Sequence, residues 1–123
     1  MQRNLSITAL LGIIAIVLGA FGAHALKERL AIDALQSFET AVKYQMYHVI
    51  VLLFVNTYGG FSAKVKNLIS VLFFIAILFF SGSIYSITAG GINPKLIWFI
   101  TPLGGLFFII GWLLMFLNFI KKS

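Results

Sequence analysis

The sequence predicts an all-α membrane protein: four transmembrane helices in an antiparallel bundle, with an amphipathic surface helix between the first and second spans. Hydrophobic residues make up 61% of the 123 residues and charged residues only 10%, whereas soluble chains are about 45–50% apolar and about 25% charged. A soluble domain of this length could not bury that much apolar surface, because small folds keep a large surface relative to their volume. The charged residues also divide the chain into four uncharged runs, each long enough for the roughly 20 residues of a membrane-spanning helix.

The first span is predicted at residues 5–25, between Arg3 and Lys27. Its small-residue tail, Ala23-His24-Ala25, fits the cleavage pattern of a signal peptide. The apolar stretch is nevertheless longer than the roughly 7–15 residues that are usual in such a peptide. We therefore interpret the segment as a membrane-spanning helix that stays in the protein.

Residues 27–43 differ from the rest of the chain because they contain all three of its acidic residues, Glu28, Asp33 and Glu39. They include no Gly or Pro. Four apolar residues in and beside this segment recur at every fourth position, a spacing that places them on one face of a helix: Leu26, Leu30, Ala34 and Phe38. The pattern predicts an amphipathic linker helix on the membrane surface, with this stripe facing the bundle or the lipid. Whether this helix ends before the second span or runs into it is left open by the pattern.

Three further spans are predicted from the remaining uncharged runs, at residues 44–61, 68–89 and 96–119. The links between them, residues 62–67 and 90–95, are short, and the second contains a Gly-Gly-Ile-Asn-Pro turn signal. Pro102 lies within the fourth run, where it either kinks the helix or marks its true start. Asn56 and Asn118 lie near the ends of their spans and are interpreted as interfacial residues. The whole chain is thus predicted to form one four-span domain.

Four spans would place both chain termini on the same side of the membrane. That side carries five basic residues: Arg3, Lys64, Lys66, Lys121 and Lys122. The opposite side carries four: Lys27, Arg29, Lys43 and Lys95. Because Lys and Arg are enriched on the cytoplasmic side, this small excess predicts a multi-pass protein of the cell membrane with both termini in the cytoplasm. Basic residues at span ends meet lipid phosphates, so the net charge of +6 indicates membrane lipid as a partner and not nucleic acid.

A candidate polar cluster is predicted where the first two spans meet on one side of the membrane. His24 ends the first span and His48 lies early in the second, while Glu39, Tyr44 and Gln45 lie between them in the sequence. Histidines and carboxylates at membrane depth frequently serve as proton relays, ion sites or metal ligands. The alternative is that each histidine caps a helix or bonds to a backbone carbonyl. Two histidines without a fixed third ligand are not a metal signature, so neither a metal nor another cofactor is predicted.

Small residues recur along three of the predicted spans, and we expect them to let helices pack closely. Glycine allows two helix backbones to approach, and in lipid such packing is a main source of attraction between helices. The glycines concerned are Gly12, Gly19 and Gly22 in the first span, Gly82 in the third, and Gly104, Gly105 and Gly111 in the fourth. Packing within the chain is the favoured interpretation, and space for a ligand or a contact with a second copy is the alternative.

Five short strings follow one another along the chain: Gly19-Ala20-Phe21-Gly22-Ala23-His24, Tyr44-Gln45 followed by His48, Phe80-Ser81-Gly82-Ser83-Ile84-Tyr85, Thr101-Pro102-Leu103-Gly104-Gly105, and Gly111-Trp112. In order and spacing, and over nearly the whole chain, they resemble the domain-of-unknown-function 423 family, also described as transmembrane protein 256-like. The resemblance implies a small four-helix membrane protein of a kind found in bacteria, with relatives in animals. It implies no particular activity and no set of functional residues.

The sequence favours a non-enzymatic structural or accessory protein that binds membrane lipid or a partner membrane protein. It contains no catalytic constellation and no charge inside the predicted spans. The first alternative is a small transporter or channel, which at this size would need to form a homo-oligomer to enclose a path. The second is an intramembrane enzyme that uses His24 and His48. The absence of cysteine excludes thiol catalysis and disulfide bonds.

Overall fold

The computed structural model describes residues 2–122, and within that range it contains helices and no strands. Six α-helices follow in order: α1 (Gln2–His24), α2 (Ile32–Thr57), α3 (Ala63–Ala76), α4 (Gly82–Thr88), α5 (Pro94–Ile97) and α6 (Ile100–Lys122). A short 3-10 helix, Leu26–Glu28, lies between α1 and α2, and a π-helical segment, Ile77–Ser81, connects α3 to α4 without a break. The all-α prediction is therefore confirmed.

Three stretches of helix are long and apolar enough to cross a membrane: Gln2–His24, Ala63–Thr88 and Ile100–Lys121. They contain most of the first, third and fourth spans that the sequence predicts. Large apolar side chains cover their outer faces, and Ile16, Leu78 and Ile109 are each about two-thirds exposed. Exposed apolar surface on this scale is compatible with lipid, where every backbone polar group is satisfied inside the helix. These helices support a multi-pass membrane protein.

One more long helix is present, α2. It is less apolar than the three stretches above because polar side chains interrupt its hydrophobic sequence. It runs for 26 residues, Ile32–Thr57, which is about 39 Å at a rise of about 1.5 Å per residue. Residues 32–43 of the predicted linker and residues 44–57 of the predicted second span therefore form one continuous helix. The physical reason is that this stretch contains neither Gly nor Pro, so no residue interrupts its helical hydrogen bonds. Residues 27–31 precede that helix and lie in the 3-10 helix and the turn after it.

α2 lies at the centre of the bundle, in contact with α1, α3, the π-helical segment and α4. The predicted apolar stripe faces inward, since Leu26 and Phe38 are 2% and 1% exposed and the two residues between them are half-buried. α6 packs against α3 and the π-helical segment. The apolar core joins α2, α3 and α6 and includes the following buried side chains: Leu52, Val55, Ile69, Phe73, Phe108 and Met115.

The fourth predicted span begins later than residue 96, because the chain first forms the separate short helix α5. The Asn93 side chain caps α5 by accepting a hydrogen bond from the backbone N–H of Lys95 at 3.0 Å. α6 then begins at Ile100 and places Pro102 within its first turn, where a helix has no intrahelical acceptor for the N–H that proline lacks. Pro102 therefore marks the beginning of the helix.

Candidate functional site

The buried face of α2 carries three polar side chains that lie between helices. Gln45, His48 and Asn56 are 2%, 5% and 0% exposed. Each one forms hydrogen bonds to a different set of neighbouring helices. Because a buried polar group costs free energy unless it is hydrogen-bonded, these three residues fix where the neighbouring helices pack against α2.

Gln45 connects three helices through its side-chain amide. Its Nε2 donates a hydrogen bond to the backbone carbonyl of Leu11 in α1 at 2.7 Å. Its Oε1 accepts one from the Tyr85 hydroxyl in α4, also at 2.7 Å. The Tyr85 ring in turn packs on Phe38, with 5.2 Å between ring centroids. The amide thus has a partner on both its donor and its acceptor side.

His48 connects α2 to α6, and both of its ring nitrogens have partners. Nδ1 lies 2.7 Å from the backbone carbonyl of Tyr44, and Nε2 lies 3.0 Å from the indole Nε1 of Trp112. A carbonyl can only accept and an indole N–H can only donate, so the imidazole is neutral and carries its proton on Nδ1. The ring also stacks on Phe108, with 3.9 Å between centroids. In this arrangement neither nitrogen is free to bind a metal or to accept a proton from a ligand.

We expect Trp112→Phe and His48→Phe each to destabilise the bundle, and the double variant to lose less than the sum of the two. The coupling free energy should be about 0.5–2 kcal/mol, the range for a hydrogen bond between helices in lipid. It can be measured as a double-mutant cycle from unfolding curves in detergent. His24→Ala, which removes an exposed side chain, should change stability by less than about 0.5 kcal/mol. Strictly additive losses at His48 and Trp112 would show that the two side chains do not interact.

The five residues of the candidate polar cluster lie at two levels along the bundle. Gly22 of α1 faces Phe38, and Gly12 faces Val49, so His24 at the end of α1 lies beside the first turns of α2. His48 lies roughly 15–20 Å further along α2, at a rise of about 1.5 Å per residue. The structure therefore does not bring His24 and His48 together.

The other three members of the cluster point in different directions from α2. Glu39 is exposed and lies with Gly19 and Lys43 along a shallow groove beside α1. Tyr44 is 41% exposed, and its ring stacks on Phe80 with 5.0 Å between centroids. Gln45 faces α1 and α4, as described above. Only Tyr44 and His48 share one side of α2, the side that faces α6.

The seven glycines predicted to pack helices have very different surroundings. A Cβ on Gly22 would lie 2.9 Å from the Phe38 ring, and one on Gly104 or Gly111 would overlap the Phe80 backbone or the Phe73 ring. Ideal Cβ atoms on the remaining glycines meet looser neighbours: Val49 at 3.4 Å from Gly12, Val42 at 3.4 Å from Gly19, Leu78 at 3.8 Å from Gly82, and no atom within 4 Å of Gly105. The closest helix contacts thus occur at three of the seven positions.

The π-helical segment and the first turn of α4 position two serine hydroxyl groups between helices. Ser81 is 0% exposed, and its Oγ donates a hydrogen bond to the backbone carbonyl of Ala41 in α2 at 2.7 Å. Ser83 forms a hydroxyl–hydroxyl hydrogen bond with Thr101 of α6. The widened turn lets one short stretch of chain bond to two different helices, and π-helical turns are frequently found at functional positions. The signal in the sequence is the string Ser81-Gly82-Ser83 within an apolar run.

A network of amide side chains joins α1, α2 and α3, and the interpretation of Asn56 as interfacial did not predict it. The Asn4 side chain donates hydrogen bonds to Asn56 at 3.1 Å and to Asn67 at 2.9 Å. Asn56 donates to the Ser70 hydroxyl at 2.8 Å and to the backbone carbonyl of Leu52 at 2.9 Å. Asn56 is fully buried, so its side chain faces neighbouring helices and not the lipid or the exterior. The available signal was an asparagine inside an apolar run, because such a side chain needs a polar partner.

Two of the grooves on the outer surface of the bundle have mainly apolar linings and lie beside the residues described above. The α1 groove, about 340 Å³, runs between α1 and the α3–α4 stretch and is lined by Ile7, Leu11, Ile14, Gln45, Phe74, Ile77, Leu78, Gly82 and Tyr85. The α6 groove, about 560 Å³, runs between α2 and α6 and is lined by Tyr44, His48, Pro102, Gly105, Leu106, Phe108, Ile109 and Trp112. Apolar side chains dominate both linings, and the polar groups in them are mostly engaged with protein partners.

Within residues 2–122, every fully buried side-chain nitrogen and oxygen has a hydrogen-bond partner. The same residues contain no group of three or more His, Cys, Asp or Glu side chains that could hold a metal ion. The polar groups inside the bundle therefore serve to hold helices together. The α1 and α6 grooves offer mainly apolar contact to another molecule, and the basic and acidic side chains lie toward the ends of the helices.

The sequence matches the model of a family described as a protein of unknown function, DUF423, over residues 18–105. It is 40% identical over 113 residues to the UPF0382 membrane protein SSP2132 of Staphylococcus saprophyticus, with 92% of each chain covered. It is 39% identical over 123 residues to a UPF0382 membrane protein of Haemophilus influenzae, covering 99% of this chain and 98% of the relative. The UPF0382 inner membrane protein YgdD of Escherichia coli is 31% identical over 121 residues, covering 92% of this chain and 86% of the relative. No solved structure matches.

Proposed function

The chain belongs to the DUF423 family of membrane proteins of unknown biochemical function, and from this premise we propose that it is a non-enzymatic, four-span accessory protein that binds membrane lipid. Its bound lipid places one acyl chain in the α1 groove. The observation that carries the proposal is the groove itself: an open, apolar cleft of about 340 Å³ between helices that lie in lipid. An empty cleft of this kind would lose dispersion contacts on its lining, and an acyl chain restores them.

The proposal takes α2 as the second of four antiparallel spans. Support comes from pairs of residues in contact between consecutive helices. As the residue number increases along one helix, the number of its contact residue on the next helix decreases, which is the order expected for antiparallel helices. Gly12 meets Val49 and Gly22 meets Phe38 between α1 and α2. The same order relates α2 to the α3–α4 stretch, and that stretch to α6: Asn56 with Ser70, Gln45 with Tyr85, Phe73 with Gly111, and Ser83 with Thr101. Consecutive antiparallel helices with short links form an up-down bundle.

The α1 groove exists because α1 packs mainly along α2. The opposite side of α1 stays apart from α3, and the cleft between them would face the acyl chains of the bilayer. Ile14 and Leu78 on the two walls are 38% and 66% exposed, so the cleft opens sideways toward the bilayer. Gln45 and Tyr85 at its base are already hydrogen-bonded to each other. A bound chain would therefore meet mostly apolar surface, which favours a hydrocarbon ligand over a polar one.

The alternative functions have less support from the same side chains. A path for ions or polar solutes needs connected polar groups, whereas Leu52, Ile69 and Phe73, all 0% exposed, fill the centre of the bundle between them. A catalytic role for the histidines needs a free ring nitrogen at His48, and both of its nitrogens have partners. The E. coli relative is named an inner membrane protein, which supports a location in the cell membrane; cytoplasmic termini are part of the proposal.

We expect Gly82→Leu to remove bound lipid from the purified protein, because the new side chain would extend into the α1 groove. Its Cβ would meet only Leu78, at 3.8 Å, so the backbone need not move. Phospholipid carried through detergent purification can be counted by native mass spectrometry. The fraction of protein with one bound phospholipid should fall at least about tenfold, which corresponds to about 1.4 kcal/mol.

Gly105→Leu is the matched control for this experiment. Gly105 lines the α6 groove, and a Cβ there meets no atom within 4 Å, so this variant should keep the bound lipid. If Gly105→Leu releases the lipid and Gly82→Leu retains it, the ligand lies in the α6 groove and the assignment is wrong. If the wild-type protein carries no lipid but a second membrane protein in stoichiometric amount, the partner is a protein and the lipid proposal fails.

A further inference from the structure

The end of the bundle at which α1 and α3 begin collects basic residues without acidic ones. Asn4 bonds to Asn67 at 2.9 Å, which brings the first turns of α1 and α3 together. The rings of Phe61 and Phe119 lie 5.2 Å apart, so the last turns of α6 reach the same end. The basic end, as we define it, comprises Arg3, Lys64, Lys66, Lys121 and Lys122.

No acidic side chain among residues 2–122 lies at the basic end. All three acidic residues, Glu28, Asp33 and Glu39, lie at the opposite end, around the first turns of α2. The basic end thus has five basic residues in the sequence and no Asp or Glu among the described residues, whereas the opposite end mixes four basic with three acidic residues. Like charges gathered on one surface favour a negatively charged partner there.

Lys66 provides the second and independent observation, because it is buried and has no partner among the described residues. The residue is 7% exposed, and its ammonium forms no ion pair or hydrogen bond with residues 2–122. The ammonium nitrogen itself is not fully buried. Lysine is almost never this buried unless it is paired. The methylene stem packs among the helix ends while the ammonium keeps some contact with the exterior. An anion at this point would supply the missing partner.

The backbone adds to the positive potential at the same place. α1 and α3, with 23 and 14 residues, both direct their N-terminal ends toward the basic end, and a helix N-terminus carries about half a positive charge. Ser62 caps α3 by accepting the Val65 N–H at 3.2 Å. An anion at this end is thus favoured by two kinds of group. They are the first backbone N–H groups of α1 and α3 and the basic side chains of Arg3, Lys64 and Lys66.

We propose that the basic end binds the phosphate headgroup of an anionic phospholipid, with Lys66 as the central contact. The groups concerned lie at the ends of apolar, membrane-spanning helices, which is where the phosphates of a bilayer lie. This site is separate from the α1 groove, and it does not depend on an acyl chain binding there. A phospholipid with net negative charge is therefore preferred over a zwitterionic one of the same acyl composition.

The test is native mass spectrometry of the purified full-length chain with an equimolar mixture of dioleoyl-phosphatidylglycerol and dioleoyl-phosphatidylcholine. The wild type should bind the anionic lipid at least about fivefold better, the effect of about one basic side chain near a membrane surface. Lys66→Gln should abolish most of this preference, and Lys66→Arg should keep it. Lys95→Gln, which removes a charge from the opposite end, is the matched control and should leave the preference unchanged.

One further variant and one competing anion test the proposal even if Lys66→Gln does not fold. The double variant Arg3→Gln, Lys64→Gln removes two exposed charges and should lower the preference severalfold with the fold intact. Equal binding of both lipids by the wild type would overturn the proposal, as would an equal loss in Lys66→Gln and Lys95→Gln. If millimolar inorganic phosphate displaces the anionic lipid, the site is one for soluble anions and the lipid assignment is wrong.

Discussion

Replacing Gly104 with Ala is expected to destabilise the bundle by about 1–3 kcal/mol, the usual cost of forcing extra atoms into a packed interior. At this position α6 lies directly on the π-helical segment. The new Cβ would lie 2.9 Å from both the Phe79 carbonyl carbon and the Phe80 Cα. These are backbone atoms, which cannot rotate away as the end of a flexible side chain can. The two helices must therefore separate, and Gly104→Leu should prevent folding altogether.

The adjacent glycine, Gly105, provides a control in which no loss of stability is expected. No atom lies within 4 Å of a Cβ on Gly105, so Gly105→Ala should leave stability unchanged or raise it by up to about 1 kcal/mol through helix propensity. The free energy of unfolding can be measured for both variants by circular dichroism in mild detergent with increasing sodium dodecyl sulfate. Equal effects at the two positions would contradict the close contact between α6 and the π-helical segment.

Asn56→Ala is expected to cost about 2–3 kcal/mol, because it removes the centre of the amide network between α1, α2 and α3. Asn56 accepts a hydrogen bond from Asn4 and donates one to Ser70, and its own side chain is 0% exposed. The substitution leaves a small cavity and takes these partners away in a region without water. Single hydrogen bonds between helices in lipid are worth about 0.6–1.7 kcal/mol, so several together account for the expected loss.

Asn118 is the matched control for Asn56. It is half-buried and bonds only within its own helix, to the Leu114 carbonyl at 2.8 Å. Asn118→Ala should therefore change the free energy of unfolding by less than about 0.5 kcal/mol. Ser70→Ala combined with Asn56→Ala should cost less than the sum of the two, since both remove the same hydrogen bond. A small effect of Asn56→Ala alone would mean that the network contributes little to the fold.

The strings that resemble the DUF423 family meet around α2, although they lie far apart in the sequence. Tyr44 stacks on Phe80, and Gln45 accepts a hydrogen bond from Tyr85. His48 accepts one from Trp112. The strings thus describe how α2 is held by its neighbours, and this explains why they imply an architecture without implying a reaction.

The glycines illustrate what a residue pattern can predict and what it leaves open. Their spacing in the apolar runs predicts that some of them allow close contact between helices, because small residues do so in lipid. The pattern treats Gly104 and Gly105 alike, since either could face a neighbour. Adjacent residues on a helix point about 100° apart, so only one of the two can lie on the π-helical segment. The rotation of α6 about its own axis places Gly104, and not Gly105, against that segment.

The sequence by itself determined that this chain is helical and suited to a membrane, because composition and the spacing of charges depend on the solvent and not on packing. It also determined that residues 32–57 can continue as one helix, since no Gly or Pro interrupts them. Only the tertiary structure decided that His24 and His48 lie apart, that Trp112 satisfies His48, and that Asn4 reaches Asn56. These pairings join residues distant in sequence, and they depend on how helices are rotated and shifted against one another. Many rotations bury the same apolar area, so the specific hydrogen bonds and close backbone contacts select one of them.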